Sequence, residues 1–462
     1  MSVVDVARRL VLRTNDWPGL RRLYHDAYEL GLSVATRRLA SVPGVLAVMV
    51  RVGADGRAWV PGLSDYDLTV LTERRDAAGT LRVLDELWGR YRRLKRSLPQ
   101  LGETEVMNLD EYRDFLAFGP LPLSAIKRTE PLFVRSDAPE IEGVLGRAPR
   151  PPREREVLLD ALSRYIWFLF PAWLRHAREP SSASRRSAEH LLGNVLKRLP
   201  GRGHLVPASD AASLAERILR VFDDLTRACR GAAEAGDAPA ILGPGQAVAD
   251  AIPPVEAFAR EALRRTEVRD GSVRLWVSYM SGDKLSLAFI VPDETPTETV
   301  GRLVATLGAL YHDTRDLWAT AFTNGELQRH FPSLPYPLVV SRSMWRAWRE
   351  LSPFDGVAIA ASGRTLLGPD DTGRGLPSRA ALRRGAEVKY AALLPLKNNW
   401  RPLAGPASPT LYAAMLNHVN GCASALSGSV PTSPTTYEFP STRAGYEAVG
   451  EALGALREQL TG

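Results

Sequence analysis

One order of elements occurs twice along this chain, and it confines the fold to a pair of small α/β units. Val45–Val50 is a short valine-rich run bounded by Pro43-Gly44 and Gly53, which reads as a buried strand. An Asp55-Gly56 turn follows, then the apolar Leu68–Leu71, a basic amphipathic helix over 79–97 and an extended Glu103–Leu109. A short helix over 110–116 and a strand over 132–134 complete the first unit. The same succession returns as Val273–Tyr279, a Gly282-Asp283 turn, Leu287–Ile290, a helix over 297–313 and Leu338–Ser341. Identity between the two stretches is low. The order of elements carries the comparison, helped by the parallel between Asn108–Arg113 and Ser341–Arg346. The separation is too long for a solenoid repeat, so two copies of one domain are expected.

The 462 residues are too many for one ordinary core. Leu20, Leu23, Tyr24, Ala27 and Tyr28 give 18–40 a helical period, with Gly31 next on that face. Pro149, Pro151 and Pro152 mark a boundary, and 155–233 is helical in pattern. An Ala/Gly/Pro-rich stretch over 231–254 reads as a connection, and the tail from Ala380 is helical apart from a Ser/Thr/Pro loop over 427–441. The expected division is 1–147, an α/β domain; 148–235, helical; 236–254, a linker; 255–375, a second α/β domain; and 376–462, helical.

With 45% hydrophobic and 24% charged residues, the composition excludes a disordered, collagen-like or polytopic membrane chain. No run reaches the ~18 apolar residues of a spanning helix; the best, around Tyr165–Leu174, contains Pro171. Arg8, Arg9 and Arg13 break up the first residues, so no signal peptide is expected. Cys229 and Cys422 allow neither a disulfide framework nor a cysteine zinc site, which fits buried thiols of a cytoplasmic protein. A net charge of +7 is compatible with a phosphate-bearing ligand but does not by itself indicate nucleic acid.

The chemistry is concentrated at Ser64-Asp65-Tyr66-Asp67-Leu68. Asp65 and Asp67 stand at the mouth of an apolar strand, and a period of two puts both carboxylates on one face. Crowded carboxylates repel unless a cation lies between them, and hard oxygen donors suit Mg²⁺. Glu103 and Glu105 share a face in the same way, and one of them completes a three-carboxylate set if their strand lies beside Leu68–Leu71. The rival reading is that the aspartates only end a loop and cap a strand.

This segment resembles the signature of the polymerase-beta-like nucleotidyltransferase superfamily, over about residues 20–140. In that family a strand ends in Gly-Ser, a loop with an Arg follows, and Ser-Asp-x-Asp-Leu opens the next strand. Gly53, Arg57 and Ser64 through Leu68 match these positions, while Ala54 stands where the family has its serine. The resemblance implies an α/β (α+β) fold, a small mixed sheet with flanking helices, here duplicated, each copy followed by a helical segment. It implies metal binding by Asp65, Asp67 and Glu105, with Glu103 as substitute, and nucleotide binding at Gly53, Ala54, Arg57 and Ser64.

The activity so implied is Mg²⁺- or Mn²⁺-dependent transfer of a nucleoside monophosphate from a nucleoside triphosphate, such as ATP, to a hydroxyl acceptor, without a membrane partner. The alternative is a non-catalytic duplicated scaffold binding a nucleotide or a protein. Aligned on Leu287–Ile290, the second copy has Lys284 and Ser286 at the aspartate positions and Leu338 at Glu105, so it is expected to be inactive. Gly363–Asp370 is read as the strand and turn that close such a domain. Arg185 and His190 have an Arg-x4-His spacing, read here as part of a solvated basic face. The run Arg90, Arg92, Arg93, Lys95 and Arg96 is likewise read as solvated, and Trp345 and Trp348 as core.

Overall fold

The computed structural model describes residues 10–11, 14, 17–53, 65–119, 127–145, 153–178, 180–199, 213–230, 252–268, 270–278, 284–313, 337–351, 363–368, 377–399, 409–427 and 437–462. It divides into two compact units. The first comprises Met1–Pro152, Glu387–Val419 and Thr436–Gly462; the second comprises Arg153–Ala386 and Asn420–Thr435. The protein is mixed α/β, and among the described residues each unit holds one small four-stranded sheet.

In the first unit the strands are β1 (Val45–Gly53), β2 (Tyr66–Thr72), β3 (Leu101–Asn108) and β4 (Lys127–Val134). Their order across the sheet is β3-β2-β1-β4. β1 runs antiparallel to both β2 and β4, and β2 runs parallel to β3. A parallel pair needs a crossover, and the Ala77–Ser97 helix supplies it. Asp76 begins that helix by accepting the Gly79 N–H at 2.8 Å. Its buried stripe, Leu81, Val83, Leu84, Leu87, Trp88 and Leu94, leaves Arg92, Arg93 and Arg96 outward, while Arg90 is half-buried and donates to the Arg38 carbonyl at 3.1 Å. Leu46, Ala47, Met49, Leu71, Met107 and Tyr112 form a core beneath the sheet.

The Pro18–Ala40 helix packs differently from its expected face. Leu23 and Leu30 are exposed, whereas Leu32, Ala35, Thr36 and Leu39 are buried. Beside this helix, the Tyr66 hydroxyl donates to the Tyr28 carbonyl at 2.6 Å. A Cβ on Gly31 would come within 3.1 Å of that hydroxyl, so the glycine permits the close approach.

The end of the chain belongs to this first unit. Asn398 donates to the Val106 carbonyl of β3 at 2.8 Å and to Glu111 at 3.1 Å, and accepts from Tyr446 at 3.1 Å. Trp88 donates to the Asn398 carbonyl at 2.8 Å, and Lys397 pairs with Glu111 at 2.7 Å. Burial works against the charged Lys397, but Glu111 and Tyr446 outweigh it and raise the lysine above its ordinary range. A buried polar cluster satisfied in this way fixes the edge strand β3 in place.

The second unit carries β5 (Ser272–Ser278), β6 (Lys284–Val291), β7 (Pro337–Ser341) and β8 (Arg364–Leu367) in the order β7-β6-β5-β8. The pairings are antiparallel for β5 with β6 and β8, and parallel for β6 with β7. The Thr297–Asp313 helix makes the crossover. Trp345, Trp348 and Cys229 are buried in its core, as expected. The helical run Glu154–Arg178 is long and apolar enough to cross a membrane, yet Leu158, Leu162, Ile166, Phe170 and Trp173 are buried within the unit.

Candidate functional site

The acidic end of the first sheet follows from strand register. β2 and β3 lie side by side, with Leu68 opposite Thr104 and Thr69 opposite Glu105. The period of two then brings Asp67, Thr69, Glu103 and Glu105 to one face. The register shifts between Tyr66 and Leu68, and at that irregularity the Glu103 N–H donates to Asp67 Oδ1 at 3.3 Å. The aspartates and the Glu103–Leu109 segment, far apart in sequence, are therefore neighbours in the fold.

A residue outside the expected set stands in the middle of them. Arg51 projects from β1 with its side chain only 5% exposed. Its Nη1 donates to Glu105 Oε1 at 2.7 Å and its Nη2 to Glu103 Oε2 at 3.2 Å. Glu105 is buried and Glu103 is exposed. Burial is the largest influence on Arg51 and works against its charge, but Glu105, Asp67 and Glu103 together raise it above its ordinary value. A guanidinium keeps its proton in any case, so this is a fixed cation among carboxylates.

Two further residues shape the site. Tyr91, on the Ala77–Ser97 helix, donates to the Gly102 carbonyl at 2.6 Å. Burial, then the charges of Asp65, Asp67 and Glu103, push its phenol up to about 12. Gly102 lies under the aspartates: a Cβ there would be 2.7 Å from both Asp65 Cβ and Asp67 Oδ1. Glycine is needed for that approach of β3 to the start of β2.

Asp65 and Asp67 offer the oxygen donors that Mg²⁺ takes, and the chemistry of that pair fits such an ion. Glu105, the third expected ligand, accepts from Arg51 through Oε1. Among the described residues no group of three His, Cys, Asp or Glu side chains is placed to hold a metal ion. Gly53 is the last residue of β1, as the motif requires, while Ala54, Arg57 and Ser64 lie outside the described residues. Arg185 pairs with Glu189 at 3.0 Å on an exposed helix surface, in keeping with a solvated face.

Arg51, Tyr91 and Gly102 lie outside the residues expected from the sequence. Arg51 had a usable signal: one charged residue inside the valine-rich β1, where a strand buried on both faces has no solvent side for it. Tyr91 had none within the basic run. Comparison with protein-family models, with curated proteins and with solved structures finds no match for the chain.

Proposed function

We propose that the chain is a metal-dependent nucleotidyltransferase that moves a nucleoside monophosphate from a nucleoside triphosphate to a hydroxyl acceptor. The observation that carries this reading is the β2–β3 pairing, which joins Asp67 to Glu103 across strands and aligns Glu105 with Thr69. A strand ending at Gly53, a second strand that begins at Tyr66 between Asp65 and Asp67, a crossover helix and a parallel strand bearing Glu105 follow the order that the motif resemblance implies. Asp65 and Asp67 would hold Mg²⁺ or Mn²⁺, whose charge offsets that of the phosphates. Gly53 would let the backbone approach those phosphates, and the motif resemblance gives Arg57 and Ser64 the same role.

The reading includes a nucleotidyltransferase-like fold present twice. Its support is the matching register. Leu68 pairs with Val50 and Thr104, and Leu287 pairs with Leu275 and Pro337. Thr72 pairs with Asn108, and Val291 with Ser341. The β1–β4 ladder shifts register between Val48 and Met49, and the β5–β8 ladder shifts at the equivalent Val273 and Arg274. On that alignment Asp65, Asp67 and Glu105 correspond to Lys284, Ser286 and Leu338, so the second copy would bind no ion.

The second reading, a non-catalytic scaffold that binds a nucleotide or a protein, is favoured by the pairing of Glu105 with Arg51. One experiment separates the two. The protein is incubated with each labelled nucleoside triphosphate and Mg²⁺ or Mn²⁺ in the presence of candidate hydroxyl acceptors. Metal-dependent pyrophosphate release supports transfer, and tight nucleotide binding without release supports the scaffold.

A further inference from the structure

We propose that the exposed face of the Pro18–Ala40 helix is a docking surface for an anionic lipid bilayer, a contact that lies on the membrane and does not cross it. The inference is independent of the reading above. Leu20, Leu23, Ala27, Leu30 and Val34 follow one another at alternating spacings of three and four, which sets them in one stripe along the helix. The far side of the helix, with Leu32, Ala35, Thr36 and Leu39, is the buried one. Along the stripe Leu20 and Val34 are half-buried, Ala27 is exposed, and Leu23 and Leu30 are 60% and 63% exposed. Trp17, at the helix start, is 62% exposed. With Leu10, these make four of the six large apolar side chains exposed among the described residues. Such side chains scattered singly need no explanation, but a row along one helix marks an interaction surface.

Charge decides what covers the row. Arg21 and Arg22 flank it near one end and Arg37 and Arg38 near the other, and all four are exposed. No described carboxylate pairs with any of them, and Arg37 instead donates to Ser33 Oγ at 3.2 Å. The helix thus carries four arginines against two acids, Asp26 and Glu29. A second copy would set this same surplus of positive charge against itself. A nucleic acid would match the charge and leave the leucines in water. An anionic bilayer meets both features. Its phosphates accept from guanidinium groups, leucines enter the boundary between headgroups and acyl chains, and tryptophan favours that depth.

The test is co-sedimentation of the full-length protein with vesicles of phosphatidylcholine, with and without phosphatidylserine. The wild type is expected to bind the phosphatidylserine vesicles about 10-fold or more tightly than the neutral ones, and less tightly as salt is raised. Leu23→Ser with Leu30→Ser is expected to weaken binding by about 10-fold or more at an unchanged melting temperature, since both side chains already face water. Arg21→Gln with Arg22→Gln should weaken it by about 10-fold, whereas Arg92→Gln with Arg96→Gln, which removes as much charge from the Ala77–Ser97 helix, should stay within about 2-fold of wild type. An equal loss from both arginine pairs would show a diffuse positive field and overturn the proposal. So would a wild type that ignores phosphatidylserine vesicles, or a leucine double variant that binds them unchanged. A leucine double variant that melts several degrees lower would mean that the chain itself covers the stripe, and a lipid-free wild-type dimer that this variant turns into a monomer would assign the face to a second copy; either result overturns the proposal.

Discussion

Arg51 and Glu105 meet across an intervening strand. One lies on β1 and the other on β3, and their side chains join over β2 at 2.7 Å. The three strands on which the site is built are therefore tied by a buried ion pair as well as by their ladders. Truncating one partner leaves the other charge buried. Arg51→Met is expected to destabilise the protein by about 3–5 kcal/mol in urea unfolding. Arg51→Met combined with Glu105→Met should recover most of that loss, because no lone charge remains. A double variant as unstable as the sum of the two singles would show that the pair contributes no coupling.

Acid should weaken the first unit through His418. Burial, and then the Lys389 ammonium, push its imidazole down from 6.5 to about 3. The folded state therefore holds His418 neutral where the unfolded chain protonates it. Its contribution is present above pH 6.5 and is lost as pH falls toward 3. Thermal melts between pH 7 and pH 4 should show a shallower decline for His418→Leu than for the wild type. Parallel curves would remove His418 as a source of acid sensitivity.

Much of the fold was legible because its signals are local. The valine-rich run of β1, the amphipathic Ala77–Ser97 stripe and the Thr297–Asp313 period each mark an element within a few residues of its observed bounds. Of the candidate site, the extended Glu103–Leu109 segment was legible for the same reason, and it lies beside Leu68–Leu71. What was not legible depends on partners distant in sequence. The burial of Leu32, Ala35 and Leu39 rather than Leu23 follows from where the Pro18–Ala40 helix meets β1 and β4, which its period does not encode. The return of the chain end to the first unit follows from Asn398 and Lys397, nearly three hundred residues from Val106 and Glu111. The occupation of Glu105 by Arg51 follows from three-strand register, which no local pattern encodes.

Gly102 should be sensitive to a single methyl group. In Gly102→Ala the new Cβ would lie 2.7 Å from Asp65 Cβ and Asp67 Oδ1, so the aspartates must move. The expected loss is about 1–3 kcal/mol of stability and about 10-fold or more in Mn²⁺ affinity. Gly89→Ala is the control. Its Cβ meets nothing within 4 Å on the Ala77–Ser97 helix, so it should gain about 0.5–1 kcal/mol. Unchanged Mn²⁺ affinity in Gly102→Ala would separate the glycine from the aspartate geometry.

Helix starts at matching places in the two sheets should respond alike. Asn108 Oδ1 accepts the Glu111 N–H at 2.9 Å, and Ser341 Oγ accepts the Met344 N–H at 3.2 Å. Asn108→Ala and Ser341→Ala should each cost about 1 kcal/mol in denaturant unfolding. A neutral result at either would mean that its helix start is held by other bonds.

The central claim is that the Asp65–Asp67 pair holds the ion used in nucleotidyl transfer. Its most direct measurement compares metal-dependent pyrophosphate release by the wild type and by Asp67→Asn, alongside their melting temperatures without metal. Asp67→Asn removes one negative charge while keeping size. Release is expected to fall by ~10³-fold or more, because metal-borne charge supplies several kcal/mol to the transition state. The melting temperature should hold or rise as repulsion between neighbouring carboxylates is relieved. A wild-type release that Asp67→Asn leaves untouched, or an Asp67→Asn protein that simply melts, would contradict the account and make Asp67 a structural residue at the start of β2.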